Sequence, residues 1–577
     1  MDTILTTSTG KEPVAKQKSP IKGVKKEDCI KIFDALFRQQ QKYIPLWKEI
    51  RNYELPYDGE LGDDTIGSPS MHDEEIYNGI TTQARDTFAA GIQSGLTPPS
   101  RKWFRFTPTD ASLDNNIDVA RVLDERCEIM ESVLSQSNFY NVIHSAYKEL
   151  PFGQAPVGVF SDDKGVYFVN YPIGTYAIGA NGQGRINTFA RKVKMSAIQI
   201  VNLYGIDNVT DTIRESVNKS GGYDDYYTVC WLVYPNPQAS KASGNRGMAY
   251  LSVHWIDGSS SDEILAIRGF EEWAIPVARY NVKGLNAYGI GPAWDALPES
   301  RMLQKMEYDG AIALELAIKP PLIGPAELQG RVNLFPGAYT PSINPNDNVH
   351  SIYSGGLDLN SLQAKIAQIE DRIKRIYSTD LFLMLNELNR GQMTAQEVMA
   401  RNQEKMAQLG PVIERLQNEF LSEIIERVYN LLDRNQVFPP IPDDVQETLQ
   451  GQEIKIEYLS PLAQAQKMSG LTAIEQGISF VGQLAQLDPN VLERVNFAKA
   501  VEHYLDKIGV PASMIRTEDE YQELIQQKQQ AQQEQEEQQA QAQQMAQVAP
   551  LAQAAKNLTD AANDGNPALR QMMGLET

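Results

Sequence analysis

The side chains able to do chemistry are few and scattered. Five histidines occur, His72, His144, His254, His350 and His503. None has the spacing that lets two imidazoles share a metal, and His254, inside an apolar strand-like run, reads as structural. Cys29, Cys127 and Cys230 are far apart, odd in number and form no C-x-x-C pair, which fits a reducing compartment. Cys230, in "TVCWLVY", reads as a small buried hydrophobe rather than a reactive thiol. No G-x-x-x-x-G-K-[ST] loop is present to cradle a phosphate. "GIQSG" approaches a nucleophile elbow, but Ser94 stands one place late for G-x-S-x-G. "GANGQGR" lacks dinucleotide spacing, and its glycines read as turn residues. The pairs Asp63 and Asp64, Asp162 and Asp163, and Asp224 and Asp225 could reach a cation, although single loop pairs ordinarily face solvent. No catalytic constellation, cofactor or metal site emerges.

The elements that would have to position a site are those of a large, acidic chain. Its 577 residues suffice for several cores, and 42% hydrophobic with 22% charged residues is an ordinary globular balance. A formal net charge of -21 opposes broad adhesion to nucleic acid, so any DNA contact must be local or weak. The first residues lack the apolar core of a signal peptide. The nearest approach to a membrane span, "AIALELAIKPPLIG", contains Glu315, Lys319 and two prolines. The expectation is a soluble intracellular product with no membrane partner.

Along the chain the pattern alternates in blocks. Residues 1–24 are polar and punctuated, as in a disordered extension. "CIKIFDALFRQQQKYIPLWKEIRNYELP" reads as one amphipathic helix, "ITTQARDTFAAGIQSGL" as another ending before Pro98 and Pro99, and 119–149 as more helix. From Pro151 to Tyr280 aromatic and β-branched runs predict strands, with Asn181 and Gly182 as a hairpin turn. Helix returns after "YGIGPAWDALP", with Pro298 suited to a first turn, and stops at Pro320 and Pro321. A Pro, Gly and Asn-rich interval follows, where small strands or a projecting lobe are expected. Leu362, Ile366, Ile369, Ile373 and Ile376 then form one apolar stripe, with Asp371, Lys374 and Arg375 on the opposite face. The apolar run continues through "LFLML" to the polar break "LNRGQMTAQEV". There Thr394 and Glu397 make a capping box for a helix running to about Arg434, kinked at Gly410 and Pro411. "EIKIEYL" reads as a short strand, and helices over 471–508 include the capping box of Thr472 and Glu475. The Gln-rich segment from about Thr517 reads as a solvated tail or as a helix needing partners. The fold class is α+β, mainly helical.

This ordered set resembles the portal, or head-to-tail connector, proteins of short-tailed bacteriophages. The residues that carry the likeness are "GIQSGLTPPSRKWFRF" at 91–106, "YGIGPAWDALP" at 288–298, "IKPPLIGP" at 318–325, the stretch 393–432, and "KIGVPASMIRTEDE" ahead of the Gln-rich tail. The likeness spans about residues 25–545. It implies a ring, typically a dodecamer, at one capsid vertex, each subunit having a wing, stem, clip and crown. On that pattern the wing is 25–293, the stem helices 294–319 and 358–385, the clip 320–357, and the tunnel loop 386–393. The kinked helix and return strand are 394–467, the crown 468–516, a Gln-rich barrel helix 517–549, and a flexible end 550–577.

The resemblance further implies partners: double-stranded DNA in the channel, the terminase large subunit and then a tail adaptor at the clip, and major capsid or scaffolding proteins. Twelve such chains carry about -250, a field that discourages DNA from adhering to a conduit wall. Asn386, Glu387, Leu388, Asn389, Arg390, Gly391 and Gln392 are the expected loop residues facing DNA. Lys374 and Arg375 are candidate stem charges, with ordinary surface charge as the alternative. Two other classes stay open: another virion structural protein such as an adaptor or internal scaffold, and an α+β enzyme with an unrecognised site.

Overall fold

The structure, a computed structural model, describes residues 25–61, 73–108, 117–237, 247–259, 263–324, 349–351, 359–388, 409–442, 454–459 and 478–483, with isolated positions elsewhere. It divides into two compact units, residues 1–109 with 122–492, and residues 110–121 with 493–577. In the second, the described positions are the first residues of one helix and scattered helical residues between 524 and 557.

The first unit opens with α1 (Lys26–Gln40) and α2 (Ile44–Tyr53), where one helix was expected. Pro45, in the first turn of α2, explains the division: its ring has no N–H to donate and clashes with the turn before it. Then come α3 (Ile80–Leu96), β1 (Phe104–Pro108), α4 (Ile117–Gln136) and α5 (Phe139–Glu149). The strand-rich part contains β2 (Gln154–Asp162), β3 (Gly165–Asn170), β4 (Tyr176–Ala180) and β5 (Ile186–Ser196). Two helices that the sequence reading missed, α6 (Ala197–Tyr204) and α7 (Asp211–Ser220), precede β6 (Tyr226–Pro235). After these come β7 (Tyr250–Ile256), β8 (Ala266–Phe270) and β9 (Val277–Arg279).

Strands β4 to β8 form one antiparallel sheet in sequence order, and β2 sits between β3 and β9 in another. Alternation along β6 divides its side chains between two layers. Cys230 and Leu232 meet Cys29, Phe33 and Leu36 of α1, whereas Val229 packs with Ile200 and Tyr204 of α6 and Ile213 of α7. All three cysteines are buried free thiols, so Cys230 is the apolar filler expected of it. His254 is also structural. It lies buried between Tyr204 Oη at 3.0 Å and Ser252 Oγ at 3.1 Å, and burial holds it well below its usual pKa, hence neutral. The hairpin at Asn181 is present, but its loop runs to Arg185 and the positive φ falls on Gly184 rather than Gly182.

The remaining elements are α8 (Pro292–Ile318), β10 (Leu322–Ile323), β11 (His350–Ser351), α9 (Leu359–Ile376) and α10 (Thr379–Leu388). Helical residues 409–416 then lead through a π-turn at Gln417–Leu421 into α11 (Ser422–Arg434). The last described strand is β12 (Ile454–Tyr458), which pairs antiparallel with β1. Small strands at the root of the Pro-rich interval are borne out by the β10 and β11 pairing. Pro292, not Pro298, occupies the first turn of α8, and Pro298 lies inside the helix. Outside the described residues lie 1–24, Asp63, Asp64, His72, most of the interval expected to be a clip, both expected capping boxes from Thr394 and Thr472, His503, and most of 468–577.

Candidate channel and assembly surface

The base of α8 is fixed by backbone contacts that only glycine permits. A Cβ on Gly289 would lie 2.1 Å from Gly153 O, and one on Gly291 would lie 2.0 Å from Pro151 O. Trp294 Nε1 donates to Phe152 O at 2.7 Å. This is the physical content of "YGIGPAW": two glycines admit a close backbone crossing, Pro292 starts the helix, and an indole locks it.

Farther along, α8 and α9 are joined by polar side chains that periodicity could not reveal. Buried Gln304 accepts from the amides of Tyr77 at 2.7 Å and Asn78 at 2.9 Å, and returns a hydrogen bond to Asn78 O at 2.9 Å. Asn78 Nδ2 donates at 2.8 Å to Glu307 of α8 and at 2.8 Å to Glu370 of α9. Arg372 of α9 reaches Glu299 of α8 at 3.1 Å. In the apolar stripe Ile369 and Ile373 are buried while Leu362, Ile366 and Ile376 are half-buried, as a packing face should be. Lys374 is half-buried and Arg375 exposed. Among the described residues neither makes an ion pair.

Beyond Gly310 the apolar side chains of α8 become exposed. Ile312, Leu314, Leu316 and Ile318 are 39%, 49%, 38% and 68% exposed, and Leu322 and Ile323 of β10 continue the apolar surface. Single exposed leucines need no explanation, but a run of this length at the end of a helix is the kind of apolar patch that interaction surfaces present.

The second helical segment is not the continuous helix expected over 358–385. It breaks at Tyr377 and Ser378, the latter at φ 53°, and Thr379 Oγ1 donates to Lys374 O at 3.1 Å. A non-glycine residue in the left-handed region gives little sequence signal, which is why the break was missed. Beyond it, α10 packs on α3: a Cβ on Gly91 would lie 2.1 Å from Phe382 Cγ, and Phe88 meets the Phe382 ring edge-on at 5.8 Å. "GIQSG" is therefore a helix-packing segment, with Ser94 Oγ donating to Gly91 O in its own helix.

Of the expected loop, Asn386, Glu387 and Leu388 are the last residues of α10, so the helix extends into it. Asn389, Arg390, Gly391 and Gln392 lie outside the described residues. Gly410 and Pro411 are helical. The irregularity seen in this helix is the π-turn six residues later, where Glu419 Oε2 lies 2.6 Å from Arg279 Nη2 of β9. Burial lifts Glu423, in the next turn, to about 8.

The described residues thus give an α+β body and a braced helical pair whose α8 ends in exposed apolar side chains. The family model described as bacteriophage head to tail connecting protein matches residues 26–515. The chain belongs to this family. It is 31% identical over 483 residues, 83% of this chain and 86% of the relative, to a probable portal protein of Bordetella phage BPP-1. It is 29% identical over 512 residues, 87% of this chain and 91% of the relative, to the portal protein of Salmonella phage epsilon15.

Proposed function

We propose that copies of this chain form a ring, a dodecamer, at one capsid vertex, and that genomic DNA enters and leaves the virion through its axial channel. The observation that carries the ring is the uncovered apolar end of α8, which a second copy would bury. Helices α8 and α9 act as the stem and residues 320–357 as the clip, whose root is the β10 and β11 pair. The body up to residue 293 acts as the wing. Residues 386–393 face the channel, and the helix beyond them returns to the wing, with Gly410 and Pro411 giving its bend.

Charge suits the role. A conduit must hold duplex DNA without binding it, because each phosphate met by Lys or Arg adds salt-sensitive affinity. The chain carries -21 overall, and its expected loop pairs Glu387 with Arg390 among uncharged Asn386, Asn389 and Gln392. Lys374 and Arg375 would add at most weak rings of contact. Packaging energy comes from a separate terminase motor docked at the clip and later replaced by a tail adaptor, while the wing meets capsid or scaffolding protein. Electron microscopy of the purified full-length chain tests this reading. A ring with an axial hole is expected; monomers or assemblies without a hole would overturn it.

A further inference from the structure

Three elements converge on one buried carboxyl. Glu54, which closes α2, is 1% exposed, and its Oε2 accepts from Tyr377 Oη at 3.0 Å. Tyr377, itself fully buried, is the first residue after α9. The carboxyl's other side-chain neighbour is the Ser300 hydroxyl of α8, and Glu54 Oε1 and Ser300 Oγ are both buried without a hydrogen-bond partner. From α3, Arg85 acts on Tyr377, but its guanidinium is held by Asp58 and Asp86. Among the described residues Glu54 makes no ion pair. A buried carboxylate with only hydroxyls around it is costly, so burial raises its pKa well above the usual range and favours the protonated form. In that form Oε1 carries a proton on the side facing Ser300, while Tyr377 donates to Oε2.

This junction sits where the chain changes its attachment. Before it, α9 is tied to α8 through Arg372 and Glu299 and, by way of Asn78, through Glu370 and Glu307. After it, α10 is keyed onto α3 by Phe382 over Gly91 and Phe88. Between them, Ser378 turns the backbone into the left-handed region. We propose that the Glu54 and Tyr377 contact is the pin of a joint at Ser378, fixing the direction in which α10 leaves α9. Both are positioning residues. The consequence for the loop after α10 rests on reading that loop as channel-facing; the joint itself does not.

Hydrogen–deuterium exchange on the purified full-length protein tests the joint with two mild variants. Tyr377→Phe removes only the hydroxyl, and exchange in 379–388 should rise on the order of tenfold while 360–375 stays at the wild-type rate. Glu54→Gln keeps an oxygen to accept from Tyr377 and an N–H to donate to Ser300, so it should exchange like wild type. Equal acceleration of both segments in Tyr377→Phe, no acceleration, or Glu54→Gln exchanging as fast as Tyr377→Phe would overturn the proposal. The expected pattern in a protein that forms no ring would leave the joint standing and remove only its link to a channel.

Discussion

Arg279 of β9 and Glu419 of the π-turn face each other with Nη2 and Oε2 2.6 Å apart and Nε donating at 2.8 Å, and the arginine is only 3% exposed. The same guanidinium donates to Asn286 O at 3.1 Å and Gly184 O at 2.9 Å. It therefore holds a helical irregularity, a β-hairpin loop and the approach to α8 together. Arg279→Ala should destabilise the protein by about 2–4 kcal/mol, since it strips two carbonyls of this donor and leaves the Glu419 carboxylate only the longer contact with Arg415, at 3.6 Å. Arg279→Lys should recover only part of this, because an ammonium cannot span three acceptors in a plane. Urea unfolding midpoints check both; a lysine variant equal to wild type would deny the fork its role.

Glu149 makes stability depend on pH in a defined direction. Buried, it accepts from Ile173 N at 3.0 Å and Asn170 Nδ2 at 3.2 Å, and desolvation lifts it to about 8. The folded state thus holds a proton that the unfolded chain has released above its ordinary carboxylate pKa. The contribution is complete below about pH 4.5 and is lost as pH rises toward 8, by up to about 4 kcal/mol. Glu149→Gln should flatten this slope, seen as urea midpoints at pH 5 and pH 8 that lie closer together than in wild type. An unchanged slope would show that Glu149 is ionised throughout.

How far the sequence revealed this architecture depended on the range of the interaction. The α9 stripe and the burial of Cys230 are local periodicities, and both were legible. The α1 and α2 division was signalled by Pro45, masked by helical periodicity on both sides of it, and α6 by the Ser196 and Gln199 capping box, masked by strand-like neighbours. The Gln304 clamp, the β1 and β12 pairing and the Tyr377 contact with Glu54 join residues more than 200 positions apart. Nothing in a local pattern encodes those partners. The loop's polar, charge-balanced composition was readable, but the extension of α10 into it was not, because "LFLMLNEL" has good helix formers on either side of any boundary.

Gly91 should reverse a familiar substitution effect. In an open helix, Gly→Ala stabilises by up to about 1 kcal/mol. Here the new methyl would meet the Phe382 ring, with its Cβ 2.1 Å from Cγ. Gly91→Ala should instead cost about 1–3 kcal/mol, as overpacking does. The double variant Gly91→Ala with Phe382→Leu should recover part of that loss, measured as the coupling in a double-mutant cycle. Stabilisation by Gly91→Ala alone would mean that α10 is not seated on α3.

Leu316 tests the proposed assembly surface without touching the core. It is 38% exposed near the end of α8. Leu316→Asp should leave the unfolding midpoint of the dissociated subunit within about 0.5 kcal/mol of wild type. It should nevertheless shift the oligomer toward smaller species by sedimentation, because a carboxylate would be desolvated at each subunit contact. Intact rings in the variant would place the contact between copies elsewhere.

The loop expected at residues 386–393 would be either a corner or a moving part. Gly391 has access to backbone conformations closed to other residues, and Glu387 and Arg390 cancel in charge. Gly391→Pro removes that freedom and one backbone donor without altering charge, so ring assembly should survive while the DNA packaged or retained falls severalfold. Gln392→Lys separates stiffness from adhesion: it leaves the backbone free but adds one cation per subunit, and should make DNA association more salt-dependent. The two variants should therefore fail differently, the first at any ionic strength and the second chiefly at low salt. If Gly391→Pro instead abolishes assembly together with packaging, as shown by electron microscopy and protection of packaged DNA from nuclease, the loop is a structural corner.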